Sequence, residues 1–300
     1  MRRRYIASVV ALATALAVLP GAAAAEQPED EIYLSLGTSL AAGTRADETG
    51  ESIPFTATSY TDQLYRRVKG RAAPMLEHVK LGCPGETTLT MINGGICGVA
   101  LPQLTYTTGS QLGDAQMYLA TRDVALVTLD MGANDILQSL GDILACGGDQ
   151  ACIGAIFGDI ASRIGFILGS LRAVDPDVPI VAMNYYNPNL ATWLGFNSPT
   201  GLPNPEFAVL SDALTAGFGQ ALAEVYGLFD VPVVDVYSAF NSGDFDDRDK
   251  DGVPNNVERV CHLTDMCPDE GADPNIHANK RGYRVIAQAF HRLLKAHGII

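Results

Sequence analysis

Residues 124–129, Val-Ala-Leu-Val-Thr-Leu, constrain the fold more than any other stretch of the chain. They are apolar on both faces, the pattern of a strand in the middle of a parallel sheet. Such a sheet needs cover on both sides, and the flanking sequence supplies it. Strand-like runs recur at 32–36 (closed by Gly37), 79–81, 178–183 and 231–236. Helix-like stretches lie at 60–68, 153–174, 207–226 and 281–297. In the second of these, Ile153, Ile156, Ile160, Ile164, Ile167 and Leu171 recur at three- and four-residue spacing, which makes an amphipathic helix. Strands alternating with helices predict an α/β fold with a central parallel sheet of about five strands. No internal repeat is evident. The irregular stretches 187–205 and 241–274 are too short to be separate domains. In open sheets of this kind, chemistry gathers at the carboxyl ends of the strands.

The N-terminus reads as an export signal. Arg2, Arg3 and Arg4 precede an apolar run that starts at Tyr5, Pro20 and Gly21 break it, and Ala22 to Ala25 supply the small residues of a cleavage site. The expected organisation is a signal peptide at 1–25 and a single domain at 26–300. The apolar run is shorter than the roughly 20 residues of a membrane span, so a secreted protein with no stable membrane anchor is expected. Six cysteines in an exported chain read as three disulfides. Their spacing favours local pairs, Cys83–Cys97, Cys146–Cys152 and Cys261–Cys267. The formal charge of -14 becomes more negative once the leader arginines are gone, which argues against binding nucleic acid or an anionic membrane by charge. A monomer acting on a small-molecule or lipid substrate is the expected working form.

Reactive residues fall where an α/β sheet would use them. Ser39 follows the first strand in Gly37-Thr38-Ser39-Leu40, so its N–H sits at a helix N-terminus, where free donors and the dipole favour an oxyanion. Gly85 follows the second strand in Cys83-Pro84-Gly85, with no side chain to block approach to its N–H. Asn134 and Asp135 follow the third strand, and the Asn134 amide is a donor of the kind that stabilises an oxyanion. His277 lies just before the last helix and can take a proton from Ser39. Of the other histidines, His262 is its main competitor. Taken singly, each feature is an ordinary cap or turn; the ordered set is more specific. The cleft walls are expected from 187–205 and the loop between Cys146 and Cys152.

The order Gly-x-Ser-Leu, Gly turn, Gly-x-Asn-Asp and late His resembles the SGNH hydrolases, the GDSL lipase/esterase superfamily. It is most similar to the secreted, three-disulfide actinobacterial branch that includes Streptomyces-type esterases and lipases. The likeness runs over most of the mature chain. It implies a flavodoxin-like three-layer α/β/α fold and a carboxylic ester hydrolase working through an acyl-serine intermediate without a cofactor. It implies Ser39 as nucleophile, His277 as base, and an oxyanion hole from the Ser39 and Gly85 N–H groups and the Asn134 side chain. Asp135 would brace its loop. Two departures stand out. The usual Gly-Asp-Ser is Gly37-Thr38-Ser39 here. The usual Asp three residues before the His is replaced by Pro274, with Asp273 one residue too early. The imidazole is then oriented either by the Pro274 backbone carbonyl, the favoured reading, or by Asp273. Rival activities on the same site are polysaccharide O-deacetylase and phospholipase. A rival of another class is a catalytically silent, calcium-stabilised extracellular binding protein.

That last rival draws on a second motif. Asp247, Asp249, Asp251, Gly252 and Glu258 match D-x-D-x-D-G-x₅-E, with Val253 placed to offer its carbonyl. Calcium takes roughly six to eight oxygen ligands, which this spacing can supply. The bland alternative is a solvated acidic loop. Any calcium here would be structural.

Overall fold

The computed structural model describes residues 31–69, 75–198 and 200–300. The expected signal peptide, 1–25, lies outside the described residues. Five strands form the central sheet: β1 (Ile32–Gly37), β2 (Glu77–Lys80), β3 (Val124–Asp130), β4 (Ile180–Met183) and β5 (Val233–Val234). Their order is β2-β1-β3-β4-β5, and every neighbouring pair is parallel. This is the flavodoxin-like doubly wound order. β1 is buried at every residue and β3 at all but Ala125, as the two-faced apolar reading of 124–129 requires.

Four longer helices are α1 (Tyr60–Val68), α2 (Gln150–Arg172), α3 (Pro205–Gly227) and α4 (Lys280–Ala296). α1 packs on α4, where Tyr60 stacks on Phe290 at 4.9 Å. α2 packs on α3, where Phe157 meets Phe218 at 5.4 Å. Local signals set their ends. Ser59 and Asp62 form a capping box at the start of α1. Asn204 caps α3, with Pro205 in its first turn. α2 is long and apolar enough to cross a membrane, but Ile160, Ile164, Ile167, Leu168 and Leu171 are almost completely buried in the protein core.

Three expectations need correction. The strand expected over 231–236 is paired only at Val233–Val234, because Asp235 accepts the Ser238 N–H and caps a short helix, Val236–Ala239. The second strand is Glu77–Lys80, so Leu81 lies beyond it. The stretch 241–274 contains the helix Asn255–Leu263 and a short strand, Thr264–Asp265. Cysteine spacing was a sound guide: Cys83–Cys97, Cys146–Cys152 and Cys261–Cys267 are all bonded. Each clips a local loop.

Ile164, on α2, is fully buried in the hydrophobic core. Ile164→Ala should destabilise the fold by about 2–5 kcal/mol through lost transfer energy and the cavity it leaves. Urea unfolding followed by circular dichroism measures this, and an unchanged midpoint would mean that this core contact matters little.

Candidate active site

The carboxyl end of β1 carries Ser39. Gly37 ends the strand with φ +136, and Thr38 caps a single helical turn, Ser39–Ala42. Two side chains hold this turn. Gln111 clasps the Gly37 peptide: its Oε1 accepts the Gly37 N–H at 2.6 Å and its Nε2 donates to the Gly37 carbonyl at 3.0 Å. Asp130, the last residue of β3, accepts the Thr38 N–H and hydroxyl, both at 2.7 Å on Oδ1, and the Tyr60 hydroxyl at 2.9 Å on Oδ2. Burial pushes the Asp130 carboxyl up to about 7, against the pull of those donors.

Gly85 lies in the loop clipped by Cys83–Cys97 and has φ +83. A Cβ there would meet only Ile96 Cδ1 at 3.9 Å, so backbone conformation rather than space calls for glycine. Asn134 follows Gly132 at the end of β3, and its Nδ2 donates to the Glu86 carbonyl at 2.8 Å. That bond ties the Asn134 amide to the residue next to Gly85. Asp135 accepts the Thr88 N–H at 2.9 Å and the Thr88 hydroxyl at 2.5 Å, with Arg163 3.5 Å away. These bonds tie the turn after β3 to Thr88, which starts the short helix Thr88–Asn93 beyond Gly85.

His277 lies on the short strand Asn275–Ala278. Its orienting partner is neither Asp273 nor the Pro274 carbonyl. Nδ1 lies 2.6 Å from the Asn275 side-chain oxygen, which also accepts the His277 backbone N–H at 3.2 Å. The Asn275 Nδ2 donates to the Gly50 carbonyl at 2.9 Å and lies 3.0 Å from Ser52 Oγ. Those contacts fix the amide with its oxygen toward the imidazole. An amide oxygen only accepts, so Nδ1 carries the proton and Nε2 keeps a free lone pair. Asp273 is exposed, and its backbone N–H donates to Thr49. Sequence reasoning missed Asn275 because it sought a carboxylate three residues before the His, and the Pro-Asn-Ile-His wording was the available signal. Burial pushes the His277 imidazole down to about 4, and among the described residues no carboxylate hydrogen-bonds it to hold the charged form.

Ser39, Asn134 and His277 line one cleft, together with Thr38 and Leu40. Gly85 is not among its lining residues. The rest of the wall is largely apolar. Leu137 and Leu140 come from the helices after β3, and Phe207, Leu214 and Phe218 come from α3. The stretch 187–205 contributes Asn187, Pro188 and Asn189. The Cys146–Cys152 loop does not reach the cleft, because the short helix Leu140–Ala145 stands in the place expected for it. His262 lies elsewhere, 3.4 Å from the Arg281 guanidinium, and His78 stacks on Tyr33.

The acidic loop is separate from the cleft. One oxygen from each of Asp247, Asp249 and Asp251 comes within 4.8 Å of the others. Glu258 sits on the helix Asn255–Leu263, outside that group. Val253 turns its N–H to Asp251 Oδ1 at 2.8 Å, while Lys250 and Gly252 donate to Asp247.

An NMR titration of the His277 ring should place its midpoint near 4. The folded protein then resists a proton that the unfolded chain accepts near pH 6.5, so stability falls as pH drops between those values. Asn275→Asp should raise the midpoint, because a carboxylate favours the imidazolium. An unmoved midpoint would remove Asn275 from the orienting role.

A family model for GDSL-like lipase/acylhydrolases matches residues 35–285. A comparison with curated protein sequences gives no match. Among solved structures, the lipase Lip_vut3 from a goat rumen metagenome is 17% identical with a TM-score of 0.52, covering 87% of this chain and 96% of that one. An extracellular lipase from Streptomyces rimosus is 15% identical with a TM-score of 0.51, covering 86% and 99%. At these identities the two structures share the fold. The family match spans the carboxyl end of β1, the Asn134 turn and His277, and this chain belongs to the GDSL-like lipase/acylhydrolase family.

Proposed function

We propose that this protein is a secreted carboxylic ester hydrolase with Ser39 as nucleophile and His277 as general base. The observation that carries the reading is the shared cleft of Ser39, Asn134 and His277, with the His277 Nδ1 proton committed to Asn275. In this scheme Nε2 takes the hydroxyl proton as Ser39 Oγ attacks the ester carbonyl. The Ser39 N–H and the Asn134 amide stabilise the tetrahedral oxyanion, and the Gly85 N–H, on the loop that Asn134 holds through Glu86, joins them by turning toward the cleft it does not line here. Collapse expels the alcohol, which receives the proton from the imidazolium and leaves an acyl-Ser39 ester. Water then loses a proton to Nε2, attacks the acyl group and releases the acid, and Ser39 regains its proton. Asn275 orients the imidazole but carries no charge, so it supports the imidazolium less than a carboxylate would.

The apolar wall from Leu137, Leu140, Phe207 and Leu214 fits the acyl portion of an ester, lipids included. Three disulfides fit an oxidising, extracellular setting. A fluorophosphonate probe should label the folded protein at Ser39, and Ser39→Ala should abolish labelling. It should also cut hydrolysis of p-nitrophenyl esters by about 10⁴-fold or more. Folded protein that takes no adduct would instead favour a catalytically silent binding protein. Parallel assays on glycerides, phospholipids and acetylated glycans separate the substrate classes.

The acidic loop supports a second, structural proposal: calcium held by Asp247, Asp249 and Asp251. Because these residues lie outside the cleft, calcium would stabilise the loop and take no part in catalysis. Calorimetric titration should give a binding heat at millimolar calcium or below, lost in Asp249→Asn; a flat titration removes the idea.

A further inference from the structure

Asp130 is fully buried, and among the described residues no lysine, arginine or histidine forms an ion pair with it. A lone interior carboxylate is expensive unless donors surround it. Three donors are specific: two come from Thr38, the residue before the nucleophile, and the third is the Tyr60 hydroxyl, while the Ala41 N–H of the same helical turn also faces the carboxylate. The carboxyl also presses directly on the strand end that carries the turn. A Cβ on Gly37 would lie 2.5 Å from Asp130 Cγ, so only glycine admits it.

We propose that Asp130 is the positioning carboxylate of the nucleophile turn, reaching across from β3 to supply the charge that Thr38 lacks where the family motif has Asp. The inference rests on Ser39 being the nucleophile. Its physical content is the aim of one N–H. Thr38 is pinned twice on one Asp130 oxygen, through its N–H and its hydroxyl, which fixes its backbone and side-chain torsions together. The next peptide carries the Ser39 N–H, which the proposed mechanism points at the oxyanion. A donor that wanders loses most of its value, because oxyanion stabilisation depends on preorganisation.

Ionisation state matters to this clasp. The carboxylate accepts all three donors. A protonated carboxyl must itself donate, so a donor facing it has to turn away, and the Thr38 hydroxyl is free to rotate. The other titratable groups around Asp130 are tyrosines. Tyr33 is on β1, Tyr60 on α1, Tyr185 and Tyr186 after β4, Tyr226 on α3 and Tyr283 on α4. Burial pushes all six upward, so they stay neutral across the working range. The carboxyl, pushed up to about 7, therefore loses its charge well before the His277 imidazole, near 4, gains one.

The test is the pH dependence of kcat/KM on a p-nitrophenyl ester for the native chain, Asp130→Asn, Asp130→Ser and the exchanged pair Thr38→Asp with Asp130→Ser. Fluorophosphonate labelling of Ser39 and circular dichroism run alongside. The native protein should show an acid limb near pH 7. Asp130→Asn should lose about 10²-fold in kcat, the scale of one oxyanion donor, with KM changed less than about twofold and the limb near 7 gone. Asp130→Ser should lose a similar factor, and the exchanged pair should recover most of it, because it restores one carboxylate and one hydroxyl across the same gap. If Asp130→Asn fails to fold, the comparison of Asp130→Ser with the exchanged pair decides. A folded Asp130 variant with native kcat, a limb that survives the loss of the carboxyl, or an exchanged pair no better than Asp130→Ser would overturn the proposal. A native chain that fails to label at Ser39 would instead overturn the mechanism on which it rests.

Discussion

Parallel pairing of β1 with β3 sets Gly37 level with Asp130, and the rest of the site depends on that register. A parallel pair brings two carboxyl ends to one edge, so the turns that leave them face the same solvent. Ser39 leaves from one and Asn134 from the other. The same register puts the Asp130 carboxylate against the Thr38 N–H. A one-residue slip would turn the slipped strand's side chains to the opposite face and part these groups. The buried core of β1 and β3 therefore guards the site geometry as well as stability.

Around this edge the polar groups form connected sets. Gln111 joins the Gly37 peptide to Glu86 and Tyr106, with Nε2 3.2 Å from each side-chain oxygen. Asn134 then donates to the Glu86 carbonyl. The Ser39 turn and the Gly85 loop are thus joined through Gln111 and Glu86. Buried networks of this kind rigidify as far as they are satisfied; this one leaves Glu86 Oε1 without a hydrogen-bond partner among the described residues. Rigidity is what the proposed oxyanion site needs, since such donors act only if they are in place before charge develops.

Burial shifts the two buried titrating groups in opposite directions but toward the same uncharged form. Burial keeps His277 neutral and ready to accept a proton, and it favours the uncharged form of Asp130. Asn275 fits the case of His277: it fixes the tautomer without adding charge, and Gly50 and Ser52, in the antiparallel hairpin that pairs Arg45–Ala46 with Ser52–Ile53, hold it still. The strand carrying His277 also packs beside Thr264–Asp265, next to the Cys261–Cys267 loop. A clipped surface loop and a hairpin together steady an imidazole that sits far along the chain from Ser39.

The sequence by itself determined the sheet, the longer helices, the disulfides and the family. These rest on local signals: apolar runs, three- and four-residue periodicity, caps, and cysteines a few residues apart. It also marked Ser39, Asn134 and His277, because each follows a strand or precedes the last helix. Only the tertiary structure decided what holds them. Asn275 beside His277 Nδ1 is set by a hairpin more than 200 residues away, and Asp130 beneath Thr38 by strand pairing across 92 residues. The cleft wall likewise passed from the Cys146–Cys152 loop to the helix before it. A motif encodes residue type and spacing along the chain. A hydrogen bond depends on distance in space, which the packing of β1, β3 and the His277 strand alone supplies.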